Sequence, residues 1–246
     1  MNEQTMYLGW RDKERRHWFP IGRLDAETDL PRFRFRYTAG AERASREVGF
    51  PPLYDFPDMK GDYQSPELFA IFRNRVIARG RPARAQYLDC LDLPESADSV
   101  EILSVNGGRR VTDFYEVFPK IEKDKDGSFT CRFLLQGLQD ASASALQRID
   151  QLKKGEELHI ALEQTDLATR PVVQIQTKHH HAIGWIPRYL MENIVDAMTE
   201  SPTYSAHVVK VNPQPAPLSQ HVLIEMSGRW VEHEPMASGD FVPLAA

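Results

Sequence analysis

The most conspicuous reactive cluster in the sequence is His179-His180-His181. In an extended segment adjacent side chains point to opposite sides, so only His179 and His181 can share a metal ion. No Asp, Glu or Cys stands at a supporting local spacing, and the run falls between Lys178 and Ala182, where two strands should turn. A solvated hairpin turn therefore outranks a metal site and a phosphate contact. Asp89 and Asp92 put two carboxylates three residues apart near a helix end, a spacing common on exposed faces and weak as an acid–base pair. Gly107-Gly108 is too short to cradle a phosphate and reads as a turn between strands. No Gly-rich loop ends in Lys-Ser/Thr, no Gly-x-Ser-x-Gly elbow occurs, and no His-Glu-x-x-His pair is present. An enzymatic site would have to assemble from distant positions, so no catalytic residue, metal ligand or cofactor is expected.

Arginines form the second cluster. Leu68–Leu88 holds Arg73, Arg75, Arg79, Arg81 and Arg84 with no acidic residue among them. Such a concentration suits nucleic acid or an acidic protein partner. The alternative, pairing with Asp55–Asp62 or Asp89–Glu101, is favoured because no aromatic stacking residues are interleaved with the arginines. Arg79, Arg81 and Arg84 stay as candidate phosphate contacts. Arg32, Arg34 and Arg36 alternate with Phe33, Phe35 and Tyr37, which reads as the solvated face of an edge strand.

Net charge is −5. Residues 1–120 hold 19 Lys+Arg and 19 Asp+Glu, and the remainder 11 and 16, so the second half carries the whole acidic excess and lacks a steering field for phosphates. No apolar run approaches the roughly 18 residues that span a bilayer, and Met1–Trp10 lacks the pattern of a signal peptide. The two cysteines, Cys90 and Cys131, are too few for a disulfide framework and are expected to be buried thiols. The expectation is a cytoplasmic protein with no membrane contact.

The elements that must position these residues divide at Pro119–Gly127, a charged stretch ending in Asp-Gly and lying between two strand-like runs. Before it, Trp18–Leu24 and Arg32–Tyr37 read as paired strands, Ala39–Glu47 as a helix stopping near Gly49, and Phe50–Asp62 as an ordered loop. Ser65 and Pro66 look like the N-cap and first residue of a helix carrying Leu68, Phe69, Ile71, Phe72 and Val76. A helix around Ala83–Leu91 follows, then strands at Glu101–Ser104 and Val111–Phe118. After the seam, strands are expected at Thr130–Gly137, Glu157–Glu163, Val172–Thr177, Ala182–Ile186, Ser205–Val211 and His221–Met226. Helices are expected at Ala145–Leu152 and Arg188–Thr199. Trp230, Phe241 and Leu244 imply that part of the final stretch packs.

Ile21-Gly-Arg-Leu24, Phe33-Arg-Phe-Arg-Tyr37, Leu68–Val76 and Ile102–Pro119 resemble, in their order, the N-terminal domain of HipA-type kinases. Nothing like the kinase core follows, so the resemblance implies an interaction module over residues 7–119. Phe133-Leu-Leu-Gln-Gly-Leu138, Leu152-Lys-Lys-Gly-Glu-Glu-Leu158 and Ile183-Gly-Trp-Ile-Pro-Arg188 are similar to a HIRAN domain over residues 130–200. That family has a modified OB-like barrel, and in remodelling ATPases it binds the 3′ end of single-stranded DNA. This chain departs from it in two places. Gln139-Asp140 stands where the family usually has Arg-Tyr, and Asp166-Leu-Ala-Thr169 where it usually has Asn-Pro-x-Asp. Lys178, Arg188 and Tyr189 remain as possible backbone contacts, although Tyr189 fits a core position equally.

The expectation is thus an α+β protein: a HipA-N-like α/β module over 1–120, a charged linker at 121–128, a small OB-like HIRAN β-barrel with one or two helices over 129–220, and a C-terminal strand and tail at 221–246. The expected function is non-catalytic recognition of single-stranded DNA or DNA ends. Candidate contacts are Gln139, Asp140, Thr169, Lys178, Arg188, Tyr189, Arg79, Arg81 and Arg84. The alternative is a protein–protein adaptor or antitoxin-like module acting through the first half.

Overall fold

A computed structural model describes residues 3–15, 17–163 and 172–245. Along the chain run β1 (Glu3–Arg11), β2 (Trp18–Glu27), β3 (Arg32–Tyr37), α1 (Ala39–Val48), β4 (Asp62–Ser65), α2 (Ala70–Arg73), α3 (Arg84–Cys90), α4 (Ser99–Asn106) and β5 (Tyr115–Pro119). Then follow β6 (Ser128–Leu134), α5 (Ala143–Ile149), β7 (Glu157–Glu163), β8 (Val172–Thr177), β9 (Ala182–Trp185), α6 (Arg188–Asp196), β10 (Tyr204–Val211) and β11 (Val222–Arg229). The fold is mixed α/β with two antiparallel sheets.

The chain forms two compact units, neither contiguous. The first comprises Met1–Arg84, Ser96–Lys120 and Pro235–Ala246; the second comprises Ala85–Glu95 and Ile121–Glu234. The stretch expected as a linker, 121–128, is a turn packed within the second unit. Ile121 is buried, the Gly127 amide donates to the Asp124 carbonyl at 2.9 Å, and the Trp230 amide to the Gly127 carbonyl at 2.9 Å. The expected tail at 221–246 divides: β11 lies inside the second sheet, and only the last stretch joins the first unit.

The first unit is a sheet of order β4-β3-β2-β1-β5. Strict alternation in β3 sends Phe33, Phe35 and Tyr37 into the core beside Leu24 and Ala26 of β2, where burying each large side chain contributes roughly 1.5–3 kcal/mol. Helix α1 packs on β2 and ends at Gly49, whose φ of 71° is a left-handed cap that glycine adopts without strain. β3 is an interior strand, with β4 on its outer side, so its arginines are not the solvated face of an edge.

Two expectations are overturned here. Glu101–Ser104 is helical, because Asp98 caps α4. Its carboxylate accepts the Val100 and Glu101 amides at 2.7 and 2.9 Å, while the Glu101 carboxylate accepts the Asp98 amide at 2.7 Å. Gly107 accordingly caps a helix instead of turning between strands, and β5 begins only at Tyr115. Ser65 caps no helix: its hydroxyl accepts the Glu67 amide at 3.0 Å in a local turn that closes β4, and α2 is a single turn starting at Ala70.

The second unit is a sheet of order β6-β11-β10-β7-β8-β9. It is not the closed barrel expected. Its terminal strands β6 and β9 share no ladder, and their ends meet at one isolated bridge, Gln136 with Trp185. Trp230 is fully buried and stacks on Phe129 at 3.9 Å and 19°. Segment 85–95 joins this sheet through β10: Asn212 Nδ2 donates to the Cys90 carbonyl at 2.8 Å, and Lys210 Nζ pairs with Asp89 at 2.7 Å.

Replacing Asp98 with Ala removes the α4 cap and is expected to lower stability by about 1 kcal/mol. A urea unfolding curve with an unchanged midpoint would contradict the capping role.

Candidate functional site

The site is built on the Gln136–Trp185 crossing. The Gln136 amide donates to the Trp185 carbonyl at 2.9 Å, and the Trp185 amide to the Gln136 carbonyl at 3.0 Å. Gly137 follows at φ 83°, and a Cβ there would lie 2.3 Å from Trp185 Cδ1, so the indole rests directly on the Gly137 backbone. Trp185 is partly exposed. The 3-10 turn Leu138–Asp140 comes next, with Leu138 buried and Gln139 and Asp140 exposed. On the other strand, Ile186 and Pro187 are buried and lead into α6, which opens with Arg188.

Arg188 is one-third exposed; its Nε sits 3.5 Å from Glu192 Oε1, beyond good hydrogen-bond geometry, and makes no hydrogen bond. Trp185, Gln139, Asp140 and Arg188 thus belong to one end of the β8–β9 hairpin and the segments bridged to it. An aromatic face, a guanidinium, a carboxamide and a carboxylate can together stack a ring and meet a phosphate or hydroxyl.

Other expected contacts fall elsewhere. Tyr189 is buried in the core of the second unit, with its carbonyl accepting Asn193 Nδ2 at 2.8 Å, so it offers no face to a ligand. Lys178 is exposed at the turn end of the β8–β9 hairpin, the length of β9 away from Arg188. Thr169, with the Asp166–Thr169 stretch, lies outside the described residues. His179–His181 are exposed in that turn, with the His180 amide donating to the Thr177 carbonyl at 2.8 Å. Among the described residues no group of three or more His, Cys, Asp or Glu is placed to hold a metal ion. Burial pushes the thiol pKa of Cys90 and Cys131 upward, so both stay neutral near pH 7.

The arginine cluster separates. Arg84 is buried and donates to the carbonyls of Ile77 and Ala97 at 2.8 and 2.7 Å, which makes it a clamp between backbone segments rather than a phosphate contact. The Arg75 side chain is 3 % exposed and grips Asp113 at 2.7 Å and the Gly108 carbonyl at 2.9 Å. Arg73 pairs with Glu67. Arg79 and Arg81 are exposed and form no ion pair among the described residues. The partners of Arg73 and Arg75, Glu67 and Asp113, lie in neither of the acidic stretches expected.

On the outer face of the first sheet, Asp25 joins neighbouring strands. It accepts Thr5 Oγ1 and Arg23 Nε at 2.8 Å each and Arg36 Nη2 at 2.9 Å, while Arg34 pairs with Asp62 at 2.7 Å. Burial pushes the Asp25 carboxyl upward, but hydrogen bonds from Arg23, Thr5 and Arg36 outweigh it and hold the group below the usual carboxylate range. This row is a structural ion-pair network, not a free basic stripe.

Trp185 stands within the Ile183–Arg188 motif but was not among the expected contacts. The available signal was an aromatic flanked by Gly184 and Pro187 at the end of a strand.

No family model matches this chain, and neither does any curated protein. Among solved structures, a protein from Lactobacillus plantarum determined by structural genomics is similar at 15% identity and TM-score 0.33, covering 42% of this chain and 97% of that one. A likeness at that level carries no assignment. Among the described residues no helix is long and apolar enough to cross a membrane.

Two measurements probe these assignments. Because the Asp25 pKa is lowered on folding, its contribution to stability is full above its unfolded value near 4 and is lost as pH falls through the folded value. Asp25→Asn should therefore flatten the acid limb of melting temperature against pH; an unchanged limb would contradict the network. Gly137→Ala should displace the indole and shift the Trp185 fluorescence, and an unaltered emission would show that the two are not in contact.

Proposed function

We propose that this protein is a non-catalytic binding protein, and that its second unit takes the end of a single-stranded nucleic acid at Trp185. The observation that carries the reading is the partly exposed indole seated on Gly137, with Arg188 opening the adjacent helix and Gln139 and Asp140 on the bridged turn. The resemblance of Ile183–Arg188 to the HIRAN pattern supports the choice of ligand. In this reading Trp185 supplies the stacking face that Gln139-Asp140 does not, Arg188 meets one phosphate, and Asp140 accepts a terminal hydroxyl.

The second unit has 18 acidic and 11 basic residues, so affinity must come from stacking more than from steering. With about one phosphate neutralised, the slope of log K against log salt should be near −0.7. In fluorescence anisotropy, a short labelled strand with a free 3′ hydroxyl should bind more tightly than the same strand blocked at that end. Trp185→Ala should weaken binding by about 5- to 150-fold, the equivalent of roughly 1–3 kcal/mol for one stacked base. Trp185→Phe should retain most of it. Absence of binding at low salt, or indifference to Trp185→Ala, would overturn the reading in favour of a protein partner.

A further inference from the structure

The first unit carries an aromatic patch outside its main core. Tyr7, Trp18 and Phe118 are all buried, with Phe118 stacked against Tyr7 at 5.7 Å and beside Trp18 at 5.5 Å, yet none belongs to the core formed by Phe35, Phe56 and Phe72. Tyr7 and Phe118 are covered by the strap that begins at Pro235. The Tyr7 hydroxyl donates to the Met236 carbonyl at 3.2 Å, and the Phe241 ring meets Tyr7 edge-on at 5.0 Å and 78° and Phe118 at 6.5 Å and 88°.

The strap is held as a bound peptide is held. Arg43 Nε reaches both carboxylate oxygens of Asp240, at 3.0 and 2.9 Å, and its Nη2 pairs with the same group. Backbone bonds run from the Ala39 amide to the Val242 carbonyl and from the Leu244 amide to the Tyr37 carbonyl, both 2.8 Å, around an antiparallel bridge between Thr38 and Pro243. This is a one-bridge extended contact with the stretch beyond β3, and the charged anchor Asp240 and the aromatic anchor Phe241 stand on the 3-10 turn Gly239–Phe241 just before it. No residue from Ala237 to Ala245 is buried, so the strap lies on the unit rather than inside it.

Where it enters, Met236 has φ 55°, a left-handed conformation that is strained for a side-chain-bearing residue such as methionine. Immediately upstream, the Val231, Glu232 and His233 amides are fastened to the Glu200 carboxylate. A short, strained hinge between two anchored stretches favours exchange of the distal piece between copies.

We propose that the groove lined by Tyr7, Tyr37, Ala39, Arg43 and Phe118 is a recognition site for an Asp-Phe-Val-Pro-Leu segment whose first two residues close a 3-10 turn and whose last three run extended, filled in cis by the chain's own strap, and that a second copy of this chain is the partner whose strap fills it in trans. A released strap uncovers the Tyr7 and Phe118 rings, which only a segment of the same chemistry re-covers in full. The proposal is independent of the Trp185 site.

Two full-length charge variants test it. In Arg43→Glu the groove repels its own Asp240, and in Asp240→Arg the strap is repelled by its own Arg43; mixed, each strap faces an opposite charge on the other copy. Sedimentation velocity should show monomers for each alone and a 1:1 dimer on mixing, while the double variant carrying both changes in one chain should stay monomeric. A mixture that remains monomeric at about 100 µM, with both variants folded by circular dichroism, overturns the proposal. A second readout needs only Asp240→Arg. A labelled peptide of residues 237–245 should bind it at least 10-fold more tightly than the wild type, whose own strap competes at an effective concentration in the millimolar range. Equal binding, or none to either, also overturns it.

Discussion

Two backbone hydrogen bonds between Gln136 and Trp185 set the candidate site of the second unit. They join the ends of a six-stranded sheet that otherwise has free edges at β6 and β9. A strand pair normally approaches within about 5 Å along a whole ladder; here the approach is confined to one residue pair, which is why glycine stands on both sides of it. A Cβ at Gly184 would lie 2.6 Å from the Gln136 carbonyl oxygen, and one at Gly137 would strike the indole. Bulkier residues at either position would force the strand ends apart, and the aromatic face would lose its floor.

The second organising constraint is the exchange of segments between the units. Asn212 makes two carbonyl contacts, to Cys90 at 2.8 Å and Gln220 at 2.6 Å, and thereby ties 85–95 into the second sheet. That segment brings Asp89, Asp92 and Glu95 and no basic residue. The consequence is electrostatic: the first unit is left with 19 basic and 17 acidic residues, while the second becomes more acidic than its contiguous sequence implies. Under the proposed function, a phosphate-bearing ligand at Trp185 would be held by short-range contacts, because the surrounding field opposes it.

Strands with strict alternation were readable from the chain alone. Arg32–Tyr37, Glu157–Glu163 and Val172–Thr177 match the observed bounds because a period of two is a local property. Helix α4 was not, since Val100, Ile102 and Leu103 make an apolar run as compatible with strand as with helix, and the deciding signal is the Asp98–Glu101 capping pair at its start. The arginines show the same limit in the site. Arg84 is fixed by carbonyls 7 and 13 residues away, and a carbonyl partner leaves no mark in the side-chain pattern. Phe241 and Leu244 marked the final stretch as packing, but its partners and those of the 85–95 segment are invisible for a related reason: they lie more than 100 residues away in sequence. Trp185 was present in a motif, but its exposure depends on the crossing with Gln136, which only the fold supplies.

The claim that a ligand seats on the bridged end of the second sheet is tested most directly by an NMR titration of the 15N-labelled full chain with a short single strand bearing a free 3′ hydroxyl. The account predicts progressive shifts of the Trp185 indole N–H and of the amides of Gln136 to Asp140 and Arg188, with the Lys178 turn unmoved. Shifts centred on Arg79 and Arg81, or no shifts at millimolar strand, would contradict it.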